Sequence, residues 1–151
     1  PQLFHPGDLD YIHSVERISK LSNVISINGG VQLDLMGQEN AESTGTRQLS
    51  GVGGQMDFLE GAYRSKGGKG FICINSSRVT KDGERKSNIL ATIPGGSTIS
   101  APRTMIQYVA TEYGIASLSG KTLRERAEAM ASIAHPDFRE ELMKYAQENF
   151  K

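Results

Sequence analysis

Four short stretches hold the residue types that could do chemistry. "SGVGGQ", Ser50 to Gln55, sets Gly51, Gly53 and Gly54 directly before an amphipathic pattern. Clustered glycines cost folding entropy, so they mark either a turn needing left-handed backbone or a place where a ligand approaches the chain closely. In the second case the amides opening the next helix would offer N–H groups and a positive dipole end to negative charge. "TEYG" ends an apolar segment with Glu112, in the position where open α/β sheets bind ligands beyond the carboxyl ends of their strands. A solvated loop carboxylate fits the same spacing. "SIN" puts Asn28 at a strand end just before two glycines, and "SAPR" supplies Arg103, either an anion clamp or a solvated cation. Spacing by itself leaves each of these pairs of readings open.

Two phosphate-binding patterns are excluded. The dinucleotide fingerprint G-x-G-x-x-G needs a glycine where Met56 stands, and "SKGGKGF" follows Lys69 with Gly70 and a strand instead of Ser or Thr and a helix. The carboxylates Asp34, Glu39, Glu42 and Asp57 show no pairing in their spacing, and His5, His13 and His135 lack zinc-type spacing, so no metal site is expected.

The elements that must position these groups follow from periodicity. Asp8 to Leu21 carries Leu9, Ile12, Val15 and Ile18 at helical spacing, with Asp8 as N-cap. Val24, Ile25 and Ile27 read as strand, then Val31, Leu33 and Leu35 alternate with polar residues after a Gly29-Gly30 turn or bulge. Residues 39–54 are polar and glycine-rich, hence loop. Phe58, Leu59, Ala62 and Tyr63 share one face of the next helix. "GFICI" is a buried strand holding Cys73, "KDGERKSN" a charged hairpin turn, and "ILATI" and "MIQYVA" further strands. Thr122 and Glu125 form a capping box, with Leu123, Ala127, Met130 and Ala134 as the stripe behind it. Pro136 opens a last helix with Phe138, Leu142 and Tyr145 facing inward. The fold class is therefore α/β: one layered domain with a mixed, mostly parallel sheet flanked by helices.

Bulk properties narrow the function. The 151 residues suit one domain, and 17 basic against 17 acidic residues remove the electrostatic case for nucleic acid or an anionic membrane surface. A single cysteine rules out an internal disulfide framework, and no apolar run approaches the ~20 residues of a membrane span. A cytoplasmic setting is expected. "PQLFHPGDLDY" reads as a chain cut at a linker, a fragment of a larger protein.

Taken in order, "SINGGVQLDLMGQENAE", "GTRQLSGVGGQMDFLEGA", "SKGGKGFI", "YVATEYGIASLSGKTLRERA" and "IAHPDF" resemble the C-terminal domain of the acetyl-CoA hydrolase/transferase family, of the 4-hydroxybutyrate or butyrate coenzyme A-transferase type. The resemblance covers about Asn23 to Phe138 and makes residues 1–151 the C-terminal domain of such an enzyme. It implies a preceding N-terminal domain of the same chain that carries a glutamate nucleophile in an "H-T/S-E-M" type of segment, which these residues do not contain. The fragment alone is then expected to be inactive, and the intact enzyme to be a homo-oligomer. The implied substrates are an acyl-CoA and a small carboxylic acid such as acetate, with coenzyme A entering as a thioester substrate and no permanently bound cofactor.

By this resemblance the catalytic set here is Asn28, Glu112 and Gly54. Gly51, Val52, Gly53, Gly54 and Gln55 would lie against the pantetheine arm and thioester, and Asn28 and Glu112 would orient the nucleophile or acceptor carboxylate. Lys66, Lys69 and Arg103 would be available to coenzyme A phosphates. Gly54→Val is expected to impair turnover more than stability. Two departures, "SAPRTMI" in place of "TSRNDV" and Ser119 in "LSGK" in place of "LRGK", bear on acyl specificity and phosphate contacts. An acyl-CoA hydrolase and a non-catalytic CoA-binding module are the alternatives.

Overall fold

The computed structural model describes residues 6–151; His5 and the first residues of the opening segment read as a linker lie outside them. Two short helices come first, α1 (Leu9–Ile12) and α2 (Val15–Lys20). They are followed by β1 (Ile25–Gly29), β2 (Gln32–Asp34), β3 (Glu39–Asn40), β4 (Ser43–Thr44) and β5 (Arg47–Gln48). Helix α3 (Gln55–Arg64) leads into β6 (Lys69–Cys73), β7 (Ser77–Val79), β8 (Arg85–Ser87) and β9 (Ile89–Leu90). The hairpin β10 (Tyr108–Thr111) and β11 (Gly114–Ser117) precedes α4 (Leu123–Ser132) and α5 (Pro136–Asn149).

The main sheet has the order β1-β6-β10-β11. Strands β1, β6 and β10 are parallel, and β11 returns antiparallel from β10 through the "TEYG" turn. This is the mixed, mostly parallel α/β sheet expected from the sequence. A second sheet, β3-β2-β9, and the short ladders β4–β5 and β7–β8 complete the pairing. The charged "KDGERKSN" turn does join a hairpin, whereas residues 39–54 are not all loop: β3, β4 and β5 lie within them.

Helices cover one face of the main sheet. Leu59, Ile72, Val109 and Met130 are fully buried there and continuous with Leu33, Leu35 and Ile89 of the second sheet. Each such side chain contributes about 1.5–3 kcal/mol relative to exposure. The capping box at Thr122 and Glu125 is formed, and Pro136 occupies the first turn of α5.

Several local expectations fail for identifiable reasons. Asp8 to Leu21 is two helices, because Ser14 adopts extended backbone and its hydroxyl accepts from Arg17 N–H, starting a new helix in place of continuing the old one. The Asp8 side chain makes no cap bond. Tyr63 and Leu123 are exposed, at the margins of stripes whose Ala62, Ala127 and Met130 are buried. Cys73 is exposed instead of buried. "GFICI" reads as a strand covered on both faces, yet β6 buries only Gly70 and Ile72. The opposite face, carrying Ile25 (53% exposed), Ile27 (67%) and Ile115 (63%), has no layer over it among the described residues.

Candidate active site

Three parallel strands end side by side, and the chain opens there. Beyond β1 lies Gly30, whose N–H donates to the carbonyl of Cys73 (3.2 Å). Gly30, residues 73–75 and residues 110–112 line a cleft of about 430 Å³ at this carboxyl edge. Glu112, the residue after β10, stands at its side. Its carboxylate accepts from both the backbone N–H (2.9 Å) and the hydroxyl (2.6 Å) of Ser76, itself fully buried. Desolvation pushes its pKa upward, but the Ser76 hydroxyl, the two backbone N–H groups of Ser76 and Glu112 and the charge of His135 outweigh it and hold it below the usual carboxylate range. Glu112 is thus an ionised, acceptor-only group fixed in direction.

The glycine loop reaches the same edge through α3. The turn 65–68 brings the end of α3 to the start of β6, so the helix runs back along the sheet and its N-terminus arrives at the strands' carboxyl ends. Leu59 packs where Gly70 lacks a side chain; a Cβ there would stand 2.9 Å from Leu59 Cδ2. Gly51, Val52 and Gly53 are exposed, and Gly53 has φ +61°, a conformation that favours glycine. The amides of Gly53, Gly54 and Gln55 have no acceptor among the described residues. They can therefore receive a developing oxyanion or another anionic group.

Gly54 is a glycine for another reason. Its φ is −94°, which any residue adopts, but an added Cβ would run into the imidazole of His13. That ring also lies 3.3 Å from Asp57 Oδ2 and edge-on to Phe58.

A part-buried contact joins the loop to the cleft wall. Gln55 Nε2 donates to Glu39 Oε2 (2.5 Å), and Glu39 lies behind Gly30, its Oε1 2.9 Å from where a Gly30 Cβ would be. Burial raises the Glu39 pKa to about 7, with Glu42 adding to the rise and the Gln55 bond opposing it.

The other sequence candidates are spread more widely. Asn28 lies on the helix-covered side of β1, paired in register with Ile72, and donates to Ser26 Oγ (2.8 Å). It shares the carboxyl edge with Glu112 but not a hydrogen bond, since β6 runs between their strands. Lys66 and Lys69 sit at the opposite edge, where α3 ends and β6 begins. Arg103 lies near the amino end of β10: its carbonyl accepts from Arg126, which also binds the Leu118 carbonyl, and Leu118 N–H in turn bonds Gln107. The structure therefore brings Glu112, Asn28 and residues 51–55 to one edge and leaves Lys66, Lys69 and Arg103 away from it.

Sequence reading missed Gly30, Ser76 and Glu39 as site residues. Ser76 follows a predicted strand end and could have been found by the same carboxyl-edge rule that singled out Glu112. Glu39 carries no such signal.

The comparisons with known proteins agree with this architecture. The profile described as "Acetyl-CoA hydrolase/transferase C-terminal domain" matches residues 2–146. The chain is 47% identical over 139 residues to a butyryl-CoA:acetate CoA-transferase of Anaerostipes caccae, covering 92% of this chain and 31% of the relative. It is 48% identical over 142 residues to a 4-hydroxybutyrate coenzyme A transferase of Clostridium kluyveri, covering 94% and 32%. The crystal structure of RipA from Yersinia pestis superposes with a TM-score of 0.80 at 40% identity, over 92% of this chain and 30% of RipA. The chain thus spans about a third of the length of the curated relatives it matches. By sequence and by fold, it belongs to the acetyl-CoA hydrolase/transferase family, as a C-terminal domain of that type.

Proposed function

We propose that this chain is the C-terminal part of a coenzyme A-transferase that exchanges CoA between an acyl-CoA of the butyryl or 4-hydroxybutyryl type and a small carboxylate such as acetate. The observation that carries the reading is that the amides at Gly53 and Gly54, which have no acceptor among the described residues, reach the same end of the sheet as the cleft beside the ionised Glu112. The transferase names of the two curated relatives support the reaction class.

In the proposed reaction a glutamate carboxylate from the preceding domain attacks the thioester carbonyl. The C–S bond breaks and the CoA thiolate leaves, giving an acyl-glutamyl anhydride. The thiolate then attacks the glutamyl carbonyl and expels the first acid, and the acceptor carboxylate reverses these steps on the glutamyl-CoA. Covalent catalysis of this kind holds the thioester's free energy in an activated acyl group. Each addition places negative charge on an acyl oxygen, and the amides at Gly53 and Gly54 are the donors for it. Losing one such donor costs roughly 3 kcal/mol in comparable oxyanion sites.

Glu112 only accepts hydrogen bonds, so it suits the amide N–H groups of a pantetheine arm. A second carboxylate brought directly beside it would have to retain a proton, because two adjacent carboxylates resist being ionised together. Asn28, whose carboxamide nitrogen donates to Ser26 Oγ, completes the edge. The reading includes a cytoplasmic setting and no resident cofactor. It also includes a partner domain of the same chain, for which the uncovered face bearing Ile25, Ile27 and Ile115 offers apolar surface. Among the described residues no helix is long and apolar enough to cross a membrane.

The test is butyryl-CoA consumption by the parent protein with and without acetate. Consumption that requires acetate, with a single glutamate modified on borohydride reduction, is the expected result. Equal rates without acetate would make the protein a hydrolase, and no consumption at all would leave a binding module.

A further inference from the structure

Glu39 has no part in the chemistry above, yet it is the fully buried carboxyl nearest the glycine loop. It lies on β3, where it also bridges to Ala101, and its side chain passes between Gly30 and the start of α3. One oxygen accepts from Gln55, the first residue of α3; the other, Oε1, has no partner among the described residues. Gly30 makes the approach possible, since a Cβ there would crowd both Glu39 Oε1 and Ile72 Cγ2.

The ionisable groups on the elements packed around Glu39 do not neutralise it. Glu42, after β3, adds like charge, although its own oxygens accept from Gln48 and Ser100. On β2, Asp34 accepts from Gln38 and from the amides of Met36 and Gln38. On α3, Asp57 is paired with His13. On β6, Cys73 lies on the exposed face. Burial with one donor and an acidic neighbour therefore penalises the ionised carboxylate more than the neutral acid.

We propose that Glu39 is a positioning residue that ties the Gly51–Gly54 loop to the cleft wall through Gln55, so that the loop's arrangement follows the protonation of this one side chain. The ionised form must recruit further donors to Oε1. The groups able to move are Gln55 and the first turn of α3, which carry the Gly53 and Gly54 amides with them. The consequence for catalysis rests on the proposed active site; the coupling itself does not.

The experiment is a pH titration of the 151-residue chain by NMR, following the Glu39 carboxyl carbon and the amides of Gly53, Gly54 and Gln55. His13 is replaced (His13→Gln) in every sample, because it is an ionisable side chain packed against Gly54. The expected result is one shared midpoint near pH 7, where Glu39 ionises. Glu39→Gln should abolish the loop titration. Gln55→Leu should leave the carboxyl titrating while the glycine amides no longer follow. Amides that stay flat from pH 5 to 9, or that still titrate in Glu39→Gln, would overturn the proposal. Neither result depends on whether the parent protein is a transferase.

Discussion

Glu112 and Ser76, 36 residues apart in sequence, are joined twice: the serine's amide and its hydroxyl both donate to the same carboxylate. The pairing fixes the direction of a charge that otherwise stands largely in solvent. Ser76→Ala removes the hydroxyl donor and should move the Glu112 pKa upward. Because the native pKa lies below the unfolded value, the pair's contribution to stability is present above that unfolded value and is lost as pH falls through the native one. A carboxyl-carbon titration of wild type and Ser76→Ala should show the shift, and identical midpoints would count against the hydroxyl as its cause.

The linkage of Glu39 has the opposite sign. Its native pKa is raised from 4.5 to about 7, so the folded state binds more protons than the unfolded chain in that window, and stability falls as pH rises through it. The full effect is roughly 3 kcal/mol. Urea denaturation at pH 5 and pH 8 should show this loss in wild type and much less of it in Glu39→Gln. Parallel pH dependence in the two proteins would mean that Glu39 titrates normally.

The glycines of the loop should respond differently to substitution. Gly51 has open space around it, so Gly51→Ala should leave stability nearly unchanged. Gly53→Ala must hold φ +61° and should cost about 1–2 kcal/mol. Gly54→Val drives a side chain into His13 and should lower stability as well as turnover, which revises the expectation drawn from the sequence. Combining it with His13→Ala should recover part of the stability. Thermal melts of the single and double variants measure this, and strict additivity would show that the collision is not the cause.

Arg126 is the one buried cation among the described residues. It donates to the carbonyls of Met36 (2.9 Å), Leu118 (2.8 Å) and Arg103 (2.8 Å), tying the β2–β3 turn, the end of β11 and the segment before β10 to α4. Arg126→Met leaves three acceptors without their donor and should cost about 3 kcal/mol or more. Arg126→Lys should recover little, because a lysine lacks the planar fork that reaches all three. Denaturant midpoints of the two variants test the geometry; a lysine variant near wild type would show that only the charge matters.

Much of this protein was decided locally and could be read along the chain. The capping box at Thr122 and Glu125, Pro136 opening α5, the β7–β8 hairpin and the glycine loop before α3 depend on residues within a few positions of one another. The apolar runs of β1, β6 and β10 were visible in the sequence, with α3 between the first two, and the parallel pairing of these strands carries Glu112 and Asn28 to one edge. What the chain did not disclose depends on partners far apart in sequence. Glu39 meets Gln55 across 16 residues and Ser76 meets Glu112 across 36, while Arg126 spans 90 to reach Met36. His13 decides what fits at Gly54, and Cys73 is exposed because no layer covers that face of β6 among the described residues, not because of the composition of β6. Periodicity records which side of an element is apolar. Which polar group is buried beside which, and so which proton is held or lost, is settled only when the packed elements exclude water between them.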